Sequence, residues 1–179
     1  MNEEQKKNSF LEFIKILVIS LAIVFPIRAY VAQPFIVEGD SMEPNFSDGD
    51  YLIIDEISYR FKEPQRGDVI IFRPPIRQQI FFIKRIVGLP GEMVKIEGGK
   101  IILSGNDSKR IVLDEEYLLG GIKTVPDVFL KLSEDEYFVL GDNRERSSDS
   151  RQWGALKKDN ITGRVLLRLW PLSKINILK

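Results

Sequence analysis

Three short segments of the sequence carry side chains that could perform chemistry together. In the first, EGDSMEPNFSDGD at residues 38–50, Ser41 lies between an apolar run and a turn that contains Pro44. A serine at the end of a strand and close to Gly39 can present its hydroxyl in a cleft, where backbone N–H groups could bind an oxyanion. Ser41 is therefore a candidate nucleophile, although serines in turns usually have no catalytic role.

The second segment, QIFFIKRIVG at residues 79–88, places Lys84 and Arg85 inside an otherwise apolar strand. Strand alternation puts Lys84 on the face of Phe82 and Ile86, and Arg85 on the opposite face. If both faces are partly covered, burial lowers the pKa of the lysine, so that it can be neutral and act as a general base. The alternative is an ordinary strand lysine whose ammonium group reaches water.

The third segment, GDNRERSSDSRQWG at residues 141–154, follows the strand-like run YFVL and is dense in hydrogen-bond donors and acceptors. Such a loop can bond to itself and hold a site in place. Two other interpretations are a solvated loop and a calcium loop. The calcium loop is disfavoured because the spaced acidic positions of an EF-hand are missing.

Composition narrows the possible chemistry further. The sequence has no His and no Cys, which excludes a Ser-His-Asp triad, a cysteine nucleophile and a zinc site built from those residues. A hydrolase with this composition must use Lys, Asp, Glu, Tyr or a carboxylate-bound metal as its base. Lys plus Arg equals Asp plus Glu at 26 each, so no basic excess is available for a nucleic acid.

The N-terminal part of the chain is expected to anchor it in a membrane. Residues 1–9 are polar and predict a tail. Within residues 10–29, the uninterrupted apolar run of residues 16–27 is too short to span a bilayer, and Phe10, Leu11, Phe13 and Ile14 extend it to roughly the 20 residues that a transmembrane helix needs. A cleaved secretion signal is disfavoured, because a cut after Ala32 would put Tyr30 at its −3 position. A buried core helix is the other alternative. Lys6 and Lys7 fit a cytoplasmic N-terminus.

From residue 30 to residue 179, short β-rich runs alternate with turn signals. Gly98 and Gly99 stand between two such runs and predict a hairpin. The pattern favours a mostly β fold, an antiparallel β-sheet domain that carries the chemistry behind one N-terminal transmembrane helix. Residues 104–136 are the least patterned and are expected to form a small excursion from the main sheet.

The three polar segments resemble the conserved boxes of a known family. SMEP at residues 41–44, KRIVGLPGE at residues 84–92 and GDNRERSSDSR at residues 141–151 are similar to the serine, lysine and loop boxes of bacterial type I signal peptidases. They occur in the family's order and follow a hydrophobic segment, as in the family. The resemblance covers about residues 33–168 and implies a β-fold related to that of self-cleaving SOS repressors.

The resemblance also implies roles for the central residues. Ser41 matches the nucleophile, Lys84 the general base, and Ser147 the loop serine that hydrogen-bonds the lysine and orients it. The backbone N–H of Ser41 is the expected oxyanion donor. Gly39 is the second oxyanion position, where the enterobacterial enzymes have a serine hydroxyl and this chain has none.

Other positions match supporting parts of the family's site. Asp149 and Arg151 correspond to the ion pair of the loop, Asp142 to the acidic residue that braces it, and Arg85 to the arginine after the lysine. Four positions correspond to the lining of the substrate pockets. They are Phe35, Val37, Met42 and Ile83.

The implied function is that of a membrane-bound serine endopeptidase that removes N-terminal signal peptides from exported preproteins at small-x-small sites. The expected location is the bacterial plasma membrane, with the catalytic domain on the extracytoplasmic side. Signal peptides and membrane lipid are the expected partners, with no nucleic acid, no cofactor and no metal. The alternatives are a specialised processing peptidase with a narrow substrate and a catalytically silent, membrane-tethered binding module. Self-cleaving repressors, which carry a DNA-binding domain, fit less well.

Overall fold

Strands dominate the structure, a computed structural model that describes residues 3–26, 33–105, 109–118 and 120–178. Over these residues there are two α-helices, α1 (Glu3–Pro26) and α2 (Ser150–Trp153), and 3-10 turns at Ser58–Arg60, Lys158–Asn160 and Leu172–Lys174. The strands are β1 (Gln33–Ile36), β2 (Tyr51–Asp55), β3 (Val69–Phe72), β4 (Phe82–Gly88), β5 (Met93–Glu97), β6 (Lys100–Ser104), β7 (Arg110–Val112), β8 (Val128–Lys131), β9 (Glu136–Leu140), β10 (Leu156–Lys157), β11 (Ile161–Trp170) and β12 (Asn176–Ile177).

The larger sheet has the strand order β1-β2-β11-β3-β4-β9-β10, with β12 paired to β11. Its neighbouring strands are all antiparallel. The prediction of a mostly antiparallel β fold is therefore confirmed. The order puts β4, the strand that contains Lys84, in the interior of the sheet between β3 and β9.

Apolar clusters cover both faces of the larger sheet at β4. Ile83 belongs to one buried cluster together with Ile71 of the adjacent strand, and Ile86 belongs to another together with Ile70. Consecutive strand residues point to opposite faces, so neighbouring positions of β3 and β4 contribute to different clusters. The segment of β4 that contains Lys84 and Arg85 is consequently flanked by apolar clusters on both faces.

The smaller sheet has the strand order β7-β6-β5-β8 and packs its apolar face against β9. Its β5 and β6 are joined at Gly98 and Gly99, which have φ angles of 59° and 82° that other residues rarely adopt. The predicted hairpin is confirmed. The excursion from the main sheet is larger than expected, however. It begins at Met93 instead of residue 104, because the regular hairpin pairs with β8 and not with the larger sheet.

The N-terminal helix begins earlier than the sequence suggested. Residues 3–9, expected to be a tail, are its first turns, and they consist mainly of the good helix formers Glu, Gln and Lys. Its large apolar side chains between Phe10 and Val24 are exposed. Residues 27–29 of the predicted anchor lie outside the described residues. By length and hydropathy, no helix in the described part of the chain qualifies as a membrane span.

Candidate active site

Ser41 lies on a turn whose neighbouring side chains are anchored in the apolar core. Backbone hydrogen bonds run from Glu43 N–H to the Asp40 carbonyl (3.1 Å) and from Phe46 N–H to the Met42 carbonyl (2.9 Å). The side chains of Met42 and Phe46 are fully buried in an apolar cluster. Because these two side chains are fixed, the half-buried Ser41 between strand and turn has a defined position.

Lys84 reaches this serine from the interior strand. Its Nζ lies 2.7 Å from Ser41 Oγ and donates to the Ile83 carbonyl oxygen at 2.8 Å. The Phe82 ring centroid is 5.2 Å from Nζ, on the face that strand alternation predicts. The lysine is only 3% exposed. The two candidate catalytic groups are therefore in hydrogen-bond contact inside a largely apolar environment.

Burial lowers the pKa of Lys84 to about 8, from an ordinary value of 10.5. The carboxylates of Asp149 and Asp142 act in the opposite direction but do not cancel the effect. With this pKa, about a tenth of the molecules hold a neutral lysine at pH 7. The arrangement thus supplies a base that can take a proton from the Ser41 hydroxyl.

Ser147 is buried beside the site, but its expected hydrogen bond to the lysine is not formed. Within the described residues, Ser147 Oγ has no hydrogen-bond partner. The Nζ group of Lys84 is instead bonded to Ser41 and to its own strand. Gly141 lies between Ser147 and Ser41, and a Cβ atom there would overlap both Ser147 Oγ and the Ser41 carbonyl oxygen. The loop serine is therefore close to the nucleophile turn without orienting the lysine in this arrangement.

Two ion pairs support the loop of residues 141–154. They are formed by the four residues for which the family resemblance implied a supporting role, Arg85 with Asp142 and Arg151 with Asp149. Arg85 donates to both carboxylate oxygens of Asp142, from Nε at 2.9 Å and from Nη2 at 2.7 Å. Arg151 does the same to Asp149, at 2.8 Å for each contact. Asp149 also accepts the Gly141 N–H at 3.1 Å and caps α2 through the Arg151 N–H. Such paired contacts to buried carboxylates give the loop a fixed geometry.

A residue without an assigned role, Asn143, joins the loop to the nucleophile turn. Its backbone N–H donates to the Ser41 carbonyl at 3.0 Å, and its side-chain amide donates to the Asp40 carbonyl at 3.1 Å. The only sequence signal for this contact was the high density of polar residues in the loop. The partner atoms are main-chain carbonyls about 100 residues away, which a pattern of residue types does not identify.

The oxyanion donors are only partly as expected. The Gly39 N–H donates to Asp48 Oδ1 at 2.8 Å, so this second donor is occupied. A bond from an amide to a carboxylate is stronger than one between neutral groups, which explains why the acidic side chain takes it. The Ser41 N–H makes no hydrogen bond to any described residue and remains available. The sequence left the second oxyanion donor open at Gly39, and in the structure the N–H of this residue is bonded to Asp48.

A cleft of about 660 Å³ runs past Ser41 and Lys84. Three of the predicted pocket residues, Phe35, Val37 and Ile83, line it. Met42 does not, because its side chain is fully buried in the core beneath the turn. Other lining residues were not predicted from the sequence. They are Pro34 and Ile36 of β1, Ile80 and Phe81 just before β4, and Ser148 of the loop, among others.

The site provides the groups that acyl transfer needs. It combines a hydroxyl nucleophile, a base with a lowered pKa, an available backbone N–H and an apolar cleft for a substrate chain. Among the residues that the structure describes, no three Asp or Glu side chains are placed to hold a metal ion.

Comparison with known proteins agrees with the sequence resemblance. The family model described as "Signal peptidase, peptidase S26" matches residues 10–170. A probable signal peptidase I-2 of Synechocystis sp. is 37% identical over 183 residues, covering 98% of this chain and 80% of that protein. Signal peptidase I of Bacillus licheniformis is 33% identical over 183 residues, covering 98% of each. A crystal structure of a signal peptidase I from Enterococcus faecalis has 33% identity and a TM-score of 0.49, covering 57% of this chain and 97% of that one.

The family match spans most of the chain, and both curated relatives exceed 30% identity over nearly all of it. The membership that the three boxes predicted is confirmed. This chain is a peptidase that belongs to the signal peptidase family, peptidase S26.

Proposed function

We propose that this chain is a membrane-bound serine endopeptidase that removes N-terminal signal peptides from exported preproteins, with Ser41 as nucleophile and Lys84 as general base. One observation carries the proposal. The Nζ of a 3%-exposed lysine lies 2.7 Å from the hydroxyl of a serine at the wall of an apolar cleft. The names of the relatives, which are signal peptidases I, support the substrate class.

In the first half of the reaction, neutral Lys84 accepts the Ser41 proton as the hydroxyl oxygen attacks the carbonyl carbon of the residue before the cut. The carbonyl oxygen becomes an oxyanion, which the Ser41 N–H can stabilise. The C–N bond then breaks, and the protonated lysine gives its proton to the leaving amine. The mature protein departs, and the signal peptide remains as an ester on Ser41.

In the second half, a water molecule attacks the ester. Lys84, neutral again, accepts a proton from the water, and the same backbone N–H stabilises the second oxyanion. Collapse of this intermediate returns the proton to Ser41 and releases the signal peptide as a carboxylic acid. One lysine serves both halves, so its pKa must lie near the working pH.

The cleft supports a preference for small side chains around the cut. Its walls near Ser41 are the apolar side chains of Val37 and Ile83, and Phe35 packs edge to face on Phe81 at 5.1 Å between ring centroids. These side chains give the cleft an apolar lining. We expect small residues at positions −1 and −3 of the substrate.

Membrane attachment is the next part of the proposal. Residues 10–29 form the anchor, residues 1–9 precede it on the cytoplasmic side, and residues 30–179 form the catalytic domain on the extracytoplasmic side of the plasma membrane. The exposed apolar side chains of α1 support this arrangement. An alkaline carbonate wash of bacterial membranes should leave the full chain in the pellet, and its release into the wash would contradict the anchor.

A patch on the catalytic domain supports additional lipid contact. Ile36, Tyr51 and Trp170 occupy paired positions on three adjacent strands and are exposed. Ile36 also lines the cleft, so the patch adjoins the binding site. A cleft held at the lipid surface would meet signal peptides where they leave the bilayer.

The direct test is cleavage of a purified preprotein with a small-x-small site by the full chain in detergent. Wild type should produce the mature protein, whereas Ser41→Ala and Lys84→Ala should not. Lys95→Ala is the matched control, because this lysine is exposed on the smaller sheet and paired with Glu97. Activity in either active-site variant would overturn the assignment of nucleophile and base.

The same assay separates the alternative functions. A processing peptidase with a narrow substrate would leave general preproteins uncut and would still react at Ser41 with an acylating reagent. A silent binding module would also leave preproteins uncut, but its Ser41 would not react with the reagent. The contact between Ser41 and Lys84 favours the general peptidase over the silent module.

A further inference from the structure

Asn45, four residues after the candidate nucleophile, makes two hydrogen bonds that tie its turn to other parts of the site. The side-chain Nδ2 donates to Asp142 Oδ2 at 2.9 Å and to the Tyr117 carbonyl oxygen at 2.8 Å. Both amide hydrogens therefore have acceptors. Neither acceptor belongs to the turn itself, since one lies 97 and the other 72 residues away in the chain.

The carboxylate that Asn45 binds is also bound by the neighbour of the base. Asp142 is fully buried and accepts two hydrogen bonds from Arg85, which directly follows Lys84 in β4. The turn that contains Ser41 and the strand that contains Lys84 are therefore both hydrogen-bonded to the Asp142 carboxylate of the loop, through Asn45 and Arg85 respectively. The Tyr117 ring faces the same guanidinium, with its centroid 4.1 Å from Arg85 Cζ.

A displacement of Asn45 would be passed on to Ser41. The main-chain carbonyl of Asn45 accepts a hydrogen bond of 2.6 Å from Arg168, a buried residue of β11. On the other side, two backbone hydrogen bonds, one from Glu43 to Asp40 and one from Phe46 to Met42, connect the segment of residues 40–46 that contains both Ser41 and Asn45. Hydrogen bonds to both the backbone and the side chain of Asn45 therefore fix its position relative to β4, the strand that contains Lys84.

We infer that Asn45 is a positioning residue, which sets the distance between Ser41 Oγ and Lys84 Nζ through its bond to Asp142. This inference rests on the proposed function, because it concerns the same proton transfer. Two donors facing two acceptors require an amide at this position. A serine or threonine offers one donor, and an ionised aspartate offers none and places a second negative charge beside Asp142.

The test compares three variants of the full chain in the preprotein assay, with kcat and KM measured separately and the folded fraction checked by urea unfolding. Asn45→Ala should lower kcat by about tenfold to a hundredfold, because buried polar groups lose their partners, while KM changes by less than about threefold. Asn45→Asp, which has the same shape, should be impaired at least as strongly. Asn45→Gln keeps both donors and should recover part of the kcat. Asn176→Ala, on an exposed asparagine of β12, is the control.

Each outcome separates one explanation from the others. A residue that only fills space would tolerate Asn45→Asp, and one that only stabilises the fold would lower the folded fraction and leave kcat per folded molecule unchanged. Either result overturns the inference. If wild type does not cut the preprotein, or Ser41→Ala cuts it equally fast, the proposed function fails instead. If wild type cuts and Asn45→Ala keeps kcat within about twofold, the role of Asn45 alone is refuted.

Discussion

Ser41 Oγ and Lys84 Nζ lie 2.7 Å apart although 43 positions separate the two residues in the sequence. The turn after β1 presents the serine, and an interior strand of the larger sheet presents the lysine. The next residue, Arg85, points to the opposite face and pairs with Asp142. The two adjacent basic residues therefore have different environments. Lys84 is buried without an ion pair to any described residue, which lowers its pKa, whereas Arg85 forms an ion pair with Asp142.

The pH dependence of cleavage should report the titration of Lys84. Only the neutral lysine accepts the serine proton, so kcat/KM should rise with pH through an apparent pKa of about 8, the value to which burial lowers this group. The measurement is a pH–rate profile with a short precursor peptide. Lys84→Arg should be inactive throughout, since a guanidinium stays protonated. A profile that is flat across this range would show that another group is the base.

Burial of Lys84 should also lower the stability of the folded protein at neutral pH. Below pH 8 the folded protein must bury a charged lysine, which costs free energy. Between pH 8 and the ordinary lysine pKa of 10.5, the lysine is neutral in the folded protein and still protonated in the unfolded chain. The cost therefore disappears as the pH rises through this range. Lys84→Met removes the cost. The variant should exceed wild type in free energy of unfolding at about pH 7, and the gain should shrink by up to about 3 kcal/mol toward higher pH.

Urea unfolding at about pH 7 and about pH 9.5 measures this difference. Lys95→Met, at a lysine of the smaller sheet whose side chain is 42% exposed, is the control. A gain that stays constant with pH would mean that the lysine is equally protonated in the folded and the unfolded chain.

Asp142→Asn should destabilise the protein strongly. The carboxylate is fully buried and the side chain of Arg85 is 12% exposed, so the substitution leaves a guanidinium without its counter-ion. Breaking such a buried pair costs about 3–5 kcal/mol. Glu97→Gln breaks the exposed pair with Lys95 and should cost less than about 1 kcal/mol. Chemical denaturation of both variants is the measurement, and equal losses would show that burial of the pair is unimportant.

Gly141→Ala should reduce kcat sharply. The added Cβ would overlap Ser147 Oγ and the Ser41 carbonyl oxygen, so the loop and the nucleophile turn must move apart. Overpacking of this kind costs about 1–3 kcal/mol in stability and, at this position, also displaces the serine. Gly120→Ala, where nothing lies within 4 Å of the new atom, is the matched control. Wild-type kcat in Gly141→Ala would mean that the turn can shift without consequence.

The sequence by itself determined the family and the class of enzyme, and it supplied Ser41 and Lys84 as the candidate catalytic residues. The absence of His and Cys left Lys, Asp, Glu, Tyr or a carboxylate-bound metal as the base, and strand alternation put Lys84 and Arg85 on opposite faces. The three boxes at residues 41–44, 84–92 and 141–151 predicted the family. These features are local, because residue type and alternation are properties of neighbouring positions in the chain.

Tertiary structure alone decided which partner each polar atom has. Asp48 takes the Gly39 N–H, Ser147 has no partner among the described residues, and Met42 turns into the core instead of the cleft. The bond between Asn45 and Asp142 likewise joins segments that are distant in the chain. Hydrogen-bond partners and side-chain burial depend on which segments meet in space, and several acceptors compete for each donor. The pattern of residue types does not contain the donor–acceptor distances that decide which hydrogen bond forms.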